Sequence, residues 1–76
     1  MIVNYVATKK HIWLASLENL YQIDKITGKT IKKIYSPEYL GISSIVKNGE
    51  EIVAYGAKGW IFKYPAEKEE WIKTPF

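Results

Sequence analysis

This 76-residue sequence contains no cysteine and no arginine, and its one histidine is His11. Without cysteine there is no disulfide and no thiolate metal site, and a single histidine cannot build a histidine cluster. A chain this short buries only about 60% of the surface that its unfolded form exposes, which leaves a marginal core. Small domains compensate with disulfides, metals or partners. We therefore expect partner chains to supply additional burial.

The sequence also lacks a long apolar run. None approaches the roughly 20 residues that cross a bilayer. The first ten residues, MIVNYVATKK, do not show the basic-then-apolar order of a signal peptide. We expect a cytoplasmic protein without membrane contact.

All eleven basic residues are lysines, and the net charge is +3. Arginine forms the planar, bidentate contacts that read phosphate and guanine, whereas lysine supplies a diffuse positive field. The absence of arginine therefore argues against specific nucleic-acid binding. The richness in Lys, Ile and Tyr is typical of AT-rich genomes, and small viral proteins often share it, which is an association and not a physical argument.

β-branched residues and apolar–polar alternation favour strands along almost the whole chain. Turn sequences such as TKK, KITG and NGE separate them, and no segment has a clear helical period. We predict an all-β fold with strands near 2–7, 11–16, 19–24, 29–35, 42–47, 51–56, 60–64 and 70–74.

The two halves of the chain match when the sequence is shifted by about forty residues. Ile2 then falls on Ile42 and Ile12 on Ile52. With one residue inserted in the next turn, Leu20 falls on Ile61, Ile31 on Ile72 and Lys32 on Lys73. Both halves run strand, turn, strand, turn, strand, turn, strand. We predict one domain of two four-stranded antiparallel units, 1–40 and 41–76.

A four-stranded unit that repeats at this length is typical of a β-propeller blade. The segment IWLASLENLYQIDKITGKTIKKI resembles blades of the PQQ-like and two-component-regulator propeller families, which carry an LY-x-x-D strand followed by a TGK turn. The matching residues are Leu20, Tyr21, Asp24, Thr27, Gly28 and Lys29. The segment IVAYGAKGWIFKYP looks like the G-x-x-G-x-I hairpin of the same families, but PAEKEEW departs from their pattern. The resemblance implies blade scaffold and no cofactor site.

The turn after the third strand has a physical interpretation of its own. Asp24 can accept backbone N–H groups, and Gly28 can adopt a positive φ. The lysines that follow at 29, 32 and 33 lie on or beside an outer strand, where lysine discourages edge-to-edge pairing. An anion-binding patch is the alternative role for these lysines.

Two blades do not close a propeller, which typically has 4–8 blades. Two open apolar faces would remain on a soluble chain. We expect a cyclic homo-oligomer, with the homotrimer favoured and the homotetramer as an alternative. Two other architectures stay open: a monomeric or dimeric sandwich or small barrel, and a fragment of a longer propeller that pairs with another protein.

The loops at one end of the blades offer the candidate ligand-binding residues. An aromatic side chain there can stack on a base or a sugar, a lysine can neutralise an anionic group, and tyrosine or asparagine can form hydrogen bonds. The residues are Trp60, Lys58, Tyr39, Asn19 and Tyr55. Packing between blades is the alternative for Trp60 and the expected role of Trp71, whereas Trp13 is expected in the core or in an interface. We expect His11 to be solvated at the opposite end.

The sequence predicts no catalytic residues, no cofactor and no metal ligands, because acyl transfer, glycoside hydrolysis and metal binding all need groups that it does not bring together. We expect a non-catalytic module that binds a small ligand, anionic and nucleotide-like or a sugar, as in a phage-type sponge. The alternative is a module that docks a protein partner on the ring face or on an open blade edge. Weak, salt-sensitive nucleic-acid binding ranks third.

Overall fold

The computed structural model describes residues 2–37 and 41–74, the first two of them as backbone only. Eight strands form two four-stranded antiparallel sheets, each in chain order. The first sheet contains β1 (Ile2–Ala7), β2 (His11–Ser16), β3 (Asn19–Asp24) and β4 (Thr30–Tyr35). The second contains β5 (Ile42–Asn48), β6 (Glu51–Gly56), β7 (Trp60–Tyr64) and β8 (Ile72–Lys73). The all-β prediction of two four-stranded units is confirmed.

The first three strands of each sheet have the same register. The ladder between β1 and β2 shifts register between Ile2 and Asn4, and the ladder between β5 and β6 shifts between Ile42 and Ser44, which is the same place forty residues later. β3 and β7 follow with an offset of forty-one, since Ile12 pairs with Ile23 as Ile52 pairs with Tyr64. The predicted offsets are therefore confirmed for these strands.

The fourth strands correct the predicted alignment. Leu20 pairs with Ile34, whereas its equivalent Ile61 pairs with Ile72. The structural equivalent of Ile72 is thus Ile34, and the predicted pairs Ile31–Ile72 and Lys32–Lys73 are wrong. The reason is the length of the last hairpin, which is three residues shorter in the second sheet than in the first. The strand predicted at 70–74 is also shorter, because β8 contains only two residues.

The Asp24 turn forms as predicted. The Asp24 carboxylate accepts the N–H groups of Ile26 at 2.8 Å and Thr27 at 3.0 Å, and Gly28 has a φ of 75°. The hydrogen bonds from Thr27 and Ile26 lower the pKa of the Asp24 carboxyl. Because the Asp24 N–H donates to the Lys29 carbonyl at 2.9 Å, Lys29 belongs to the turn and β4 begins at Thr30.

The core lies between one face of each sheet. Alternation along the strands places Trp13, Ala15 and Leu20 on what we call the docked face of the first sheet, which also holds Val6 and Ile34. The docked face of the second sheet consists of Ile45, Ile52, Ala54, Phe62, Tyr64 and Trp71. The Trp13 ring lies 4.9 Å from the Tyr64 ring, centroid to centroid, so Trp13 is core, as predicted.

The other face of each sheet is open and also rich in apolar residues. The open face of the first sheet consists of Tyr5, Ile12, Leu14, Tyr21 and Ile23. The open face of the second sheet consists of Val46, Val53, Tyr55, Ile61 and Ile72. Tyr5 is 65% exposed and Ile72 is 57% exposed, which is high for side chains of this size.

Polar contacts also join the two sheets. The Glu50 carboxylate, in the turn between β5 and β6, accepts the backbone N–H groups of Lys9 and Lys10. Partial loss of solvent acts to raise the pKa of Glu50, but hydrogen bonds from Thr8, Lys9 and Lys10 outweigh it and lower that pKa. Lys47 Nζ donates to the Ala7 carbonyl at 2.6 Å.

Candidate functional site

A cleft of about 310 Å³ lies at the end of the first sheet where β2 turns into β3. It borders the open face of that sheet, because Asn19 and Tyr21 alternate with the buried Leu20 along β3. Its lining offers a hydroxyl, a carboxylate, an amide, a phenol and one apolar side chain. The residues are Ser16, Leu17, Glu18, Asn19 and Tyr21.

Local hydrogen bonds hold the backbone of this cleft. Ser16 Oγ accepts the Asn19 N–H at 3.0 Å and donates to the Asn19 carbonyl at 3.3 Å, closing the two-residue turn. The Ser36 N–H donates to the Glu18 carbonyl at 2.7 Å, which ties the turn to the end of β4. The cleft is thus formed by a turn whose backbone is held by hydrogen bonds at Ser16, Glu18 and Asn19.

Asn19 has an unmet hydrogen-bonding capacity. Its Oδ1 is shielded from solvent and has no hydrogen-bond partner among the described residues. A buried, unpaired amide oxygen costs free energy, and a native structure keeps few such groups. Rotation of the amide about χ2 presents either the oxygen or the NH2 group to the cleft, so a ligand that brings a donor or an acceptor can satisfy it.

Tyr21 forms the aromatic side of the cleft. Lys33 Nζ lies 6.0 Å from the centroid of the Tyr21 ring and 5.2 Å from that of Tyr35. This places a positive charge beside the cleft, on β4, while the carboxylate of Glu18 lies in the cleft lining itself. The electrostatics of the cleft are therefore mixed and not simply anion-attracting.

Lys58 and Trp60 lie at the corresponding end of the second sheet. Ala57–Gly59 form a 3-10 turn in which Lys58 has a φ of 56°, and the Trp60 N–H donates to the Ala57 carbonyl. Lys58 is exposed, whereas Trp60 is half-buried on the side of the docked Phe62. A Cβ added to Gly56 would lie 3.3 Å from Trp60 Cβ. Trp60 therefore packs closely against Gly56, at the end of β6 in the same sheet.

The predicted site residues do not converge within one chain. Asn19 lines the large cleft, and Tyr55 lies 39% exposed on the open face of the second sheet. Lys58 and Trp60 belong to the Ala57–Gly59 region and line none of the four clefts that we describe. Tyr39 lies outside the described residues. The first and second sheets therefore hold separate parts of the predicted set.

A second, smaller cleft lies where the two sheets meet. It has a volume of about 160 Å³ and is lined by Leu17 from the first sheet and by Gly41, Ile42, Ser43 and Ala57 from the second. Two further clefts, of about 180 and 110 Å³, lie along β6, β7 and β8. Leu17 lines both the large cleft and the cleft of about 160 Å³ between the sheets, so these two clefts lie at the same end of the molecule.

Two aromatic predictions can be compared with the structure. Trp71 packs on the core, with its ring 5.8 Å from that of Phe62, in agreement with a packing role. His11 was expected to be solvated, and this is wrong. It lies at the end of the sheet away from the large cleft, half-buried, with ring centroids 6.3 Å from Trp13 and 6.0 Å from Tyr64. Aromatic packing across the two sheets explains its position.

Among residues 2–37 and 41–74, no group of three or more His, Asp or Glu side chains is arranged to hold a metal ion. The same residues contain no helix long and apolar enough to cross a membrane.

Sequence reasoning did not assign Ser16, Leu17 and Tyr21 to a site. A serine three residues before a strand start is a recognisable turn-closing residue, so Ser16 had a local signal. Tyr21 had none, because a tyrosine within a strand pattern is equally compatible with packing.

Comparison of the chain with protein-family models, with curated proteins and with solved structures finds no match.

Proposed function

We propose that this chain is a non-catalytic binding module, a β-propeller completed by self-association, which takes up a small hydroxylated ligand of the sugar class between blades. The observation that supports it is the braced cleft at the β2–β3 turn, whose lining includes Asn19, a residue with a shielded and unpaired Oδ1. Its volume of about 310 Å³ is at the lower end of typical ligand pockets.

The chemistry of the lining favours a neutral ligand over a phosphate. The Glu18 carboxylate accepts hydrogen bonds from hydroxyl groups, and the Asn19 amide both accepts and donates them. Tyr21 offers an aromatic surface for the apolar side of a sugar ring. A phosphate would be repelled by the Glu18 carboxylate in the lining of the cleft. The nucleotide-like ligand is therefore the second choice.

The proposal can be tested by calorimetric titration with a panel of monosaccharides and nucleoside monophosphates. Asn19→Ala should weaken binding of the preferred sugar about tenfold, the loss expected for one well-formed hydrogen bond. Asn48→Ala is the matched control, because Asn48 is exposed at the end of β5, away from the cleft.

Three results contradict the proposal in different ways. Binding of nucleotides but not sugars overturns the ligand class. Equal effects of the two asparagine variants overturn the cleft assignment. No binding by any member of the panel removes the support for a small-molecule module and favours the protein-docking alternative.

A further inference from the structure

The two open faces are structural equivalents of the two docked faces. Shifting the chain by the observed offsets places Val6 on Val46, Trp13 on Val53 and Leu20 on Ile61, so the docked face of the first sheet corresponds to the open face of the second. The converse also holds. Ile45, Phe62 and Tyr64, on the docked face of the second sheet, correspond to Tyr5, Tyr21 and Ile23, on the open face of the first.

We infer that the open face of the second sheet docks on the open face of the first sheet of another copy of this chain, head to tail, in the geometry by which the two sheets already pack within one chain. The inference rests on the self-association in the proposed function and not on its ligand. Because this contact joins two different faces, it is heterologous and propagates until a ring closes.

The packing within the chain supports this choice of occupant. The backbones of the two sheets approach each other mainly at β1, β2 and β5, as in sheets that fan around a common axis. At the observed interface the ring of Trp71 lies 5.8 Å from that of Phe62. Their equivalents on the open face of the first sheet are Lys33 and Tyr21, where the Nζ lies 6.0 Å from the ring centroid. The open face is thus arranged like the docked one.

Charge complementarity points the same way. Within the chain, Glu50 of the second sheet contacts the Lys9–Lys10 turn of the first. By the offset of forty, Lys10 is the equivalent of Glu50, so in the inferred contact the Gly49–Glu50 turn of one copy lies beside Lys10 of the next. A turn that carries an acidic residue then meets one that carries a basic residue, which favours head-to-tail docking over contacts between two identical faces.

The inferred contact also completes the large cleft. Leu17 of the first sheet corresponds to Ala57 of the second, and within the chain Leu17 and Ala57 line one cleft. The turn at Ala57–Gly59 of a second copy would therefore lie beside Leu17 and place Lys58 next to Glu18. Asn19 and Lys58, which lie apart in one chain, then face a common space.

The test uses two variants that each block one open face. Tyr5→Asp places a charge where the equivalent Ile45 is buried, and Val46→Asp places one where the equivalent Val6 packs on the core. Ile26→Asp is the matched control, because Ile26 is 96% exposed in the β3–β4 turn. Circular dichroism verifies that all three variants fold, and analytical ultracentrifugation gives their masses.

For wild type and Ile26→Asp we expect a mass of three times the 8.8 kDa chain, or another multiple that closes a ring. Tyr5→Asp and Val46→Asp should each be monomeric. Mixed in equal amounts they should form a dimer, because one intact pair of faces remains. A monomeric wild type, or a variant that keeps the full mass, overturns the inference. An intact ring without ligand binding overturns only the ligand binding in the proposed function. A monomer that binds ligand overturns this inference and the self-association in the proposed function, but not the ligand binding.

Discussion

The two sheets have the same register over three strands and differ in which face is covered. In the first sheet Trp13, Ala15 and Leu20 are fully buried, whereas their equivalents Val53, Tyr55 and Ile61 are not. Residue type does not explain this difference in burial, since the buried residues and their less buried equivalents are all apolar or aromatic. Burial in this chain therefore depends on which neighbouring sheet is present, because both faces of each sheet carry apolar residues that a neighbour can cover.

The sheets also differ in their last hairpin. The first has a hydrogen-bonded Asp24–Gly28 turn and a six-residue β4, whereas the second replaces the turn with the PAEKEE segment and keeps a two-residue β8. Trp71 compensates by packing on Phe62, a contact made across the sheet by a residue outside β8. The second sheet is therefore stabilised by side-chain packing where the first uses a turn.

The sharpest way to break the comparison is to truncate equivalent residues on the two sheets. Trp13→Ala removes a fully buried ring and should destabilise the chain by about 3–5 kcal/mol. A domain of this size has a total stability on the order of 5 kcal/mol, so the variant should be largely unfolded. Val53→Ala, measured in the Tyr5→Asp background to remove self-association, should change the urea midpoint little. Similar losses of stability in both variants would show that the two faces contribute equally to the folded chain.

Replacing a turn glycine tests the difference between the hairpins. Gly28→Ala forces a residue with a Cβ into a φ of 75° and should cost about 1 kcal/mol, although no atom lies within 4 Å of the added carbon. Amide hydrogen exchange should show faster opening at β3 and β4, while β6 and β7 keep their protection. An equal loss of protection in the second sheet would mean that the sheets open as one unit.

The smallest effect is expected from acid. The pKa values of Asp24 and Glu50 are lowered in the folded chain. Their contribution to stability is therefore present above the ordinary carboxyl pKa and is lost as the pH falls through the folded-state value. The urea concentration at the midpoint of unfolding should decrease once the pH is lowered below about 4.5, the ordinary pKa of the Glu50 carboxyl.

Glu50→Gln should make this acid dependence shallower, because it removes the carboxylate that contacts Lys9 and Lys10 between the sheets. Glu67→Gln is the control, since Glu67 is exposed in the last hairpin. If both variants respond to pH as the wild type does, the contact between the turns contributes nothing measurable to docking of the sheets.

The sequence by itself determined the strands, the Asp24 turn and the offset between the halves. These follow from local physics: alternation with period two, the acceptor capacity of Asp24 and the free φ of Gly28. Local patterns also predicted the turn between β2 and β3, which hydrogen bonds between Ser16 and Asn19 close. Local patterns did not predict the pairing of the fourth strand of the second sheet. The length of the PAEKEE hairpin sets the pairing of Ile72, and a strand of two residues is too short to show a periodicity.

Only the tertiary structure decided which face of each sheet is covered. Both faces carry apolar residues, so alternation alone could not assign Trp13 to the core and leave Tyr5 exposed. Nor could it show that His11 packs against both Trp13 and Tyr64. These features depend on how one sheet stacks on another, and that arrangement results from non-local contacts between residues some forty positions apart.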